Sequence, residues 1–313
     1  MPSSRGWPSE TAHPLAHPLV SIVIPGYRTE FLEPALESAF AQTHAETEIV
    51  VSDNCPTDEV RQIVAPHPRV RYHRNPVRGI YSNFRSCIRL ARGEYVKFLL
   101  DDDLLAPDCV ATMLRAFAHQ PAATLVASCY EIIDAAGKRV RVRETISSDR
   151  PVLFAPGGAG RFMLQRADNF FGPLTTSMFR RRCLPLGIGP WFFHAGAKEQ
   201  YFGLIDVAIL LDLAYQGRVA ILPQILSAVR HHANALSNVQ CNPLAGRSIS
   251  AWLPLALDAH AFGLISEAEL RSGLEALLPR LRRWQDRFPD LAAEAARVED
   301  LLQTRPVAAG GPG

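Results

Sequence analysis

Three aspartates, Asp101, Asp102 and Asp103, stand directly after the apolar run Tyr95-Val96-Lys97-Phe98-Leu99-Leu100. Adjacent carboxylates raise one another's pKa, so such a cluster calls for compensating positive charge. Hard oxygen donors of this kind suit Mg²⁺ or Mn²⁺, with a diphosphate completing the shell. If the run is a buried strand of an open α/β sheet, the cluster lies at its carboxyl end, where such sheets bind ligands. The competing reading is a solvated loop in which Asp103 or Asp108 caps the next helix. Asp53 stands in the same relation to Ile49-Val50-Val51-Ser52 and should reach the same edge. There its carboxylate can accept a hydrogen bond from a nucleobase N–H, or close an Asx turn on its own backbone.

The elements that would position these residues follow a regular alternation. Leu19-Val20-Ser21-Ile22-Val23-Ile24, closed by Pro25-Gly26, reads as a buried parallel strand. Phe31, Leu32, Ala35, Leu36, Ala39 and Phe40 recur at helical spacing, with Pro34 tolerable in the first turn. A strand over 48–52, a helix from Thr57 or Asp58, and a strand over 70–73 come next. A helix carrying Phe84, Ile88 and Ala91 follows, which Gly93 can end as a left-handed cap. This order implies right-handed crossovers and a mostly parallel sheet. Beyond Phe117, residues 124–134 and 138–143 flank Ala135-Ala136-Gly137 as a hairpin, so antiparallel strands join the sheet. Residues 150–200, rich in Gly, Pro and aromatics, read as loops lining a site, and residues 206–217, 268–278 and 291–302 read as helices.

The chain has 313 residues, 48% of them hydrophobic, enough for one large α/β domain or two modest ones. A net charge of +2 with 20% charged residues gives no electrostatic footprint for nucleic acid. Six scattered cysteines without a CxxC pair read as reduced, mostly buried thiols. No apolar stretch is long enough for a transmembrane segment and no leader-like start is present, so a cytoplasmic protein is expected, with peripheral membrane contact left open. Residues 1–17 and 304–313 lack periodicity and are expected to be disordered tails.

Ser21-Ile22-Val23-Ile24-Pro25-Gly26-Tyr27, then Ile49-Val50-Val51-Ser52-Asp53-Asn54 with Thr57-Asp58, then Ala91-Arg92-Gly93-Glu94 running into Asp101-Asp102-Asp103 with Pro107-Asp108, resemble the inverting GT-A glycosyltransferases of the large family 2 type. The order and spacing match across residues 19–120. The resemblance implies the nucleotide-diphospho-sugar transferase fold: a mostly parallel Rossmann-like sheet with helices on both faces and here a helical C-terminal extension. It implies a donor half over 18–120, an acceptor and catalytic half over 121–245, and the extension over 246–303. Pro25, Tyr27, Asp53, Asp101 and Asp102 are carried over as donor contacts. Asp102, counted back from Pro107, takes the metal position, with Asp103 and His232 beside it and Mn²⁺ or Mg²⁺ as cofactor. The aspartate usual two residues before Asp102 is Leu100 here, so Asp101 and Asp103 both stand as candidates for the supporting contact. Arg28, where the family often has Asn, reads either as a phosphate contact or as solvated.

The second half resembles the family more loosely. Gly172-Pro173 with Thr175-Thr176-Ser177-Met178-Phe179-Arg180 looks like its acceptor-side strand, so Gly172 and Thr176 are acceptor-side candidates. Asp206 opens a segment resembling the one that carries the catalytic base, although Ile205 replaces the usual Glu; Glu199 is the rival carboxylate. Arg230-His231-His232-Ala233 resembles the closing loop, with His232 aligning better than His231. Arg139, Arg141 and Arg143 share one strand face and read as a charged edge, as Arg180-Arg181-Arg182 does, the other reading being contact with a phospholipid-linked acceptor.

The resemblance implies transfer of a sugar from a nucleoside diphosphate sugar to a hydroxyl acceptor with inversion, in polysaccharide, O-antigen or other glycoconjugate biosynthesis. The acceptor is a glycan, a lipid-linked sugar or a small molecule. A nucleotidyltransferase is the rival enzyme, though Pro25-Gly26-Tyr27-Arg28 lacks its Gly-rich basic loop. A glycosyltransferase-like binding protein without catalysis is the rival from another class.

Overall fold

The computed structural model describes residues 17–184, 203–233, 235 and 238–304. Its frame is one sheet of ten strands in the order β3-β2-β1-β4-β9-β6-β10-β5, with β7 paired to β6 and β8 to β10. The first half alternates as its sequence demands: β1 (Val20–Gly26), α1 (Leu32–Phe40), β2 (Thr47–Asp53), α2 (Glu59–Val64), β3 (Val70–Arg74), α3 (Ile80–Leu90) and β4 (Tyr95–Phe98). Strands β3, β2, β1 and β4 are mutually parallel. After β4 come β5 (Leu104–Leu105), α4 (Cys109–His119), β6 (Ala123–Ile133), β7 (Arg139–Arg143), β8 (Val152–Phe154), α5 (Gly158–Arg166) and β9 (Ser177–Arg180). The chain continues through α6 (Ile205–Gln216), β10 (Arg218–Arg230), α7 (Ala245–Ser250), α8 (Trp252–Ala261), α9 (Glu267–Trp284) and α10 (Asp290–Thr304).

Strand β9 lies antiparallel between β4 and β6, while β6 and β10 run parallel to each other and with the first four. β5, β7 and β8 run the other way, and the hairpin expected from the sequence forms between β6 and β7. A bulge between Ile132 and Ile133 sets Arg139 on the Glu131 face, apart from Arg141 and Arg143, which corrects the expectation that the three share one face. The sheet is therefore parallel in its first half and mixed in its second.

Both faces are covered, which is why β1 is buried at every position. Ile22, Ile24, Ile49 and Val51 pack with α1, α2 and α4, whereas Val23, Val50, Val96 and Phe98 face α3, α5, α6 and the C-terminal helices. The period of two along each strand sends alternate residues into the two cores. Helix α9 shares the second core through Leu270, Leu274, Leu277 and Leu281. It lies so close to α5 that a Cβ on Gly273 would stand 2.6 Å from the Leu164 carbonyl oxygen. The C-terminal helices thus close one face of the sheet. Among the described residues no helix is long and apolar enough to cross a membrane. All six cysteines are unbridged, and Cys55, Cys87, Cys109 and Cys129 are buried. The expected tails fall almost wholly outside the described residues, and α10 continues to Thr304.

Two local expectations are corrected. Gly93 is not a left-handed cap, because α3 ends at Leu90 and Ala91 already turns extended. Its role is close approach: a Cβ there would lie 2.6 Å from the Leu19 carbonyl oxygen and 2.7 Å from the Ser21 amide nitrogen. The Gly93 N–H donates to Ser21 Oγ at 2.8 Å, so the turn before β4 lies directly on β1. Arg180 is not solvated. It is buried, with Nε donating to the Ala123 carbonyl at 3.0 Å and Nη1 to the Tyr95 hydroxyl at 2.7 Å, and it stacks over Tyr95 and Phe117.

Substituting Gly93→Ala is expected to cost about 1–3 kcal/mol through overpacking against backbone, read as a lower denaturant midpoint at unchanged slope.

Candidate active site

The parallel register brings the carboxyl ends of β1, β2 and β4 to one edge, with Gly26 opposite Asp53 and Val23 opposite Phe98. The three aspartates occupy the turn after β4 and point to three different partners. Asp101 Oδ2 accepts from the backbone N–H groups of Tyr27 at 2.8 Å and Arg28 at 2.7 Å, pinning the β1–α1 loop to the turn. Burial, and then the charge of Asp102, push its carboxyl up to about 6. Asp103 Oδ2 accepts from Thr175 Oγ1 at 2.6 Å and Oδ1 from the Arg230 N–H at 2.9 Å. Burial, reinforced by Asp102, holds its carboxyl well above the usual range. Asp102 Oδ2 meets two nitrogen groups: Arg28 Nη1 at 3.2 Å and His232 Nε2 at 3.1 Å. None of the three caps α4; Asp108 takes that position without a side-chain cap bond.

Positive charge reaches this turn from three sides. Arg28 approaches from the loop. Arg230 is buried at the end of β10, where Nε donates to the Asp102 carbonyl at 3.0 Å and Nη1 donates to the Asp134 and Ala135 carbonyls at 3.1 Å each. Its guanidinium lies 4.4 Å over the Phe31 ring, the same ring that packs at 5.1 Å against His232. Lys97 lies fully buried in β4, its ammonium donating to the carbonyls of Thr175 and Ser177. Burial lowers its pKa, with Cys109 and Asp103 acting against that. In the sequence Lys97 reads only as part of a strand run and Arg230 only as part of the closing-loop segment, although a lysine inside an apolar strand run is the signal that could have marked the first.

The remaining donor-side candidates cluster at the neighbouring strand ends. Pro25 is buried in β1 opposite Ser52, and the Tyr27 side chain is exposed. Asp53 is wholly buried and closes an Asx turn through Oδ1 to the Cys55 N–H at 2.8 Å. Its Oδ2 accepts from the Tyr72 hydroxyl at 2.6 Å and Arg74 Nη1 at 2.7 Å. Sequence reasoning did not identify Tyr72 and Arg74 as its partners, because they arrive from β3. Behind them Asn83 links Ser52 Oγ at 2.8 Å to the Gly26 carbonyl at 3.2 Å, bracing the ends of β1 and β2.

On the other side, Asp206 stands in the first turn of α6, where the helix dipole favours negative charge. It is half-buried, and burial pushes its carboxyl up to about 6 despite hydrogen bonds from backbone N–H groups and from Asn169. Asn169 Nδ2 donates to Asp206 Oδ2 at 2.9 Å and to the Gly172 carbonyl at 2.8 Å. Gly172 adopts φ +85°, and a Cβ there would strike the Tyr130 ring at 2.7 Å. Thr176 is buried with its hydroxyl donating to the Phe171 carbonyl at 2.8 Å, so it shapes the turn from within. The segment 169–175 therefore runs from the partner of Asp206 to Thr175, the partner of Asp103. Of the two histidines, His232 reaches Asp102, while His231 is exposed and its imidazole pKa is lowered by partial burial and then by Arg141. Glu199 lies outside the described residues. Among the described residues no group of three or more His, Cys, Asp or Glu is arranged to hold a metal alone.

A model of the family described as glycosyl transferase family 2 matches residues 21–185. An uncharacterized protein of Mycobacterium tuberculosis, MT1568, is 30% identical over 251 residues, covering 76% of each chain. The chondroitin synthase of Escherichia coli is 35% identical over 128 residues, which are 39% of this chain and 19% of that enzyme. In structure, residues 1–349 of S. aureus TarS, solved with UDP-GlcNAc, superpose with a TM-score of 0.60 at 16% identity, covering 92% of this chain and 82% of that one. The mannosyltransferase PcManGT of Pyrobaculum calidifontis, solved with GDP-Man and Mn²⁺, superposes with a TM-score of 0.53 at 17% identity, covering 94% and 76%. The matched segment spans β1 through β9 and includes the aspartate turn, and with it the chain belongs to glycosyl transferase family 2 and has the GT-A fold.

Proposed function

We propose that the chain transfers a hexosyl group from a nucleoside diphosphate sugar to a hydroxyl acceptor, with inversion at the anomeric carbon and a divalent cation on the donor diphosphate. The observation that carries this reading is Asp206, a carboxyl near about 6 in the first turn of α6, held by Asn169 on the segment that Thr175 ties to the aspartate turn. A general base works best with a pKa close to the working pH, and ordinary solvated aspartates lie well below it. Asp206 takes the proton of the acceptor hydroxyl as its oxygen bonds to the anomeric carbon. The bond from that carbon to the diphosphate oxygen breaks, and its electron pair leaves with the nucleoside diphosphate.

A cation site fits the side chains present. Asp102 supplies a carboxylate and His232 an imidazole on the same spot, and a site with few protein ligands suits Mn²⁺ or Mg²⁺, which keep substrate phosphates and water in their shell. When bound, the ion supplies Lewis-acid stabilisation of the charge gathering on the departing diphosphate. Asp101 and Asp103, each engaged by hydrogen bonds, hold Asp102 between them. Pro25, Tyr27 and Asp53 are assigned to the donor nucleotide, Gly172 and Thr176 to the acceptor side. The UDP-GlcNAc in TarS and the GDP-Man with Mn²⁺ in PcManGT support the donor class and the cation. The likeness to a chondroitin synthase supports a role in glycan assembly.

Substituting Asp206→Asn is expected to leave nucleotide binding intact and to lower turnover by roughly 10² to 10⁴; retained turnover removes Asp206 as base. In the parent, kcat/KM should fall about tenfold per pH unit on the acid side of about 6, as the base becomes protonated. The same raised pKa means the folded state holds a proton that the unfolded chain has released between the usual 3.8 and about 6, so folding stability from this group falls as pH rises through that window. Asp206→Asn should therefore raise the neutral-pH melting temperature, with the gain vanishing near pH 4. Mn²⁺-dependent thermal stabilisation by UDP or GDP is expected to disappear in Asp102→Ala, and unchanged stabilisation would sink the cation assignment.

A further inference from the structure

Asp102 carries two partners on one oxygen, and they are held differently. His232 presents Nε2 to Oδ2 at 3.1 Å, with its side chain 5% exposed and its ring packed at 5.1 Å against Phe31. Arg28 presents Nη1 to the same oxygen at 3.2 Å from a side chain that is 26% exposed. Its backbone N–H, with that of Tyr27, is fixed on Asp101 Oδ2. The guanidinium thus hangs from an anchored main chain, and rotation about its side-chain bonds is enough to move it. The imidazole is packed in place.

The position Arg28 holds is the one assigned to the cation. A divalent ion bracketed by Asp102 and His232 lies at Oδ2, the oxygen that His232 faces. A guanidinium on that oxygen would be a like charge in contact with the ion, and such repulsion is strong where water is partly excluded. Ion and guanidinium therefore exclude each other there. The loop that carries Arg28 leaves β1 at Gly26, beside the end of β2 at Asp53, so a displaced guanidinium stays on the donor edge. Arginine's planar fork matches phosphate oxygens through two parallel hydrogen bonds, and the donor diphosphate is the anion that the proposed reaction brings to that edge.

We propose that Arg28 is the resident counter-ion of Asp102 and that the cation displaces it onto the donor diphosphate, so that cation and nucleotide bind cooperatively. The inference rests on the cation and donor assignments made above. With the ion alone, the Arg28–Asp102 pair is broken and the guanidinium gains no new partner. With the nucleotide alone, breaking the pair strips Asp102 of a donor. With both, one rearrangement serves both ligands, and each tightens the other by the same factor. A guanidinium that stayed on Asp102 would weaken cation binding equally with and without nucleotide, and would leave that factor unchanged.

Mn²⁺ binding to the full chain would be titrated through the EPR signal of the free ion, with and without UDP or GDP, correcting for ion held by free nucleotide. Nucleotide binding would be measured by calorimetry in EDTA and in saturating Mn²⁺. In Arg28→Gln, Mn²⁺ alone should bind roughly tenfold more tightly and nucleotide with saturating Mn²⁺ roughly tenfold more weakly. Nucleotide binding in EDTA should change little, so the coupling factor falls. Arg28→Lys, which keeps the charge without the fork, should retain part of the coupling. Ligand-free melting temperatures report that the variants fold, and Arg28→Met takes the place of the glutamine variant if that one does not. An unchanged coupling factor overturns the proposal even where Mn²⁺ binds more tightly, because the arginine then acts without moving; Mn²⁺ binding that is no tighter overturns it as well. In both cases, Mn²⁺ binding that persists in the parent and is lost in Asp102→Ala leaves the cation assignment standing. A parent chain that binds no Mn²⁺ with or without nucleotide removes the cation assignment, and this inference with it.

Discussion

Three adjacent carboxylates buried at the edge of a sheet are the constraint that the rest of the site is arranged to meet. Desolvation opposes the ionisation of Asp101 and Asp103, and the charge of Asp102 between them adds to it. Asp101 and Asp103 are held with raised pKa values, one against backbone N–H groups and the other against Thr175 and the Arg230 N–H. Asp102 is left between them with Arg28 and His232 on a single oxygen. Lys97 from β4 and Arg230 from β10 complete the compensation from below and behind. A buried carboxylate left unpaired is costly, so removing any one of these partners disturbs the whole turn.

This arrangement also explains why β9 and β10 are placed where they are. β9 follows directly on Thr175, whose hydroxyl and carbonyl serve Asp103 and Lys97, and β10 ends on Arg230 and leads into His232. The second half of the chain is bound to the first at the acidic turn itself as well as through the β4–β9 ladder. The segment between Asn169 and Thr175 extends this linkage to Asp206.

Much of the frame is legible in the sequence. The apolar runs of β1, β2 and β4 and the hairpin at Gly137 declare themselves because strand burial and turn chemistry are local. The carboxylates after β2 and β4 are visible for the same reason. Their partners are not, because each arrives from far along the chain: Arg230 is 127 residues from Asp103, and Thr175 is 72. Asp53 shows the limit from the other side. Its Asx turn is a local property and could be anticipated, whereas the closure of its second oxygen by Tyr72 and Arg74 depends on β3 lying beside β2. Gly93 misleads because a glycine after a helix usually marks a left-handed turn, and only the proximity of β1 reveals that bulk is what it avoids.

The unbroken sheet has a mechanical consequence. From β3 to β10 each strand is hydrogen-bonded to the next, and the chain crosses from its first half to its second inside that ladder. Among the described residues the sheet offers no seam along which two lobes could swing apart. A catalytic cycle on such a frame has to admit and release its ligands by local rearrangement at the carboxyl edge, with the strand ends acting as fixed posts.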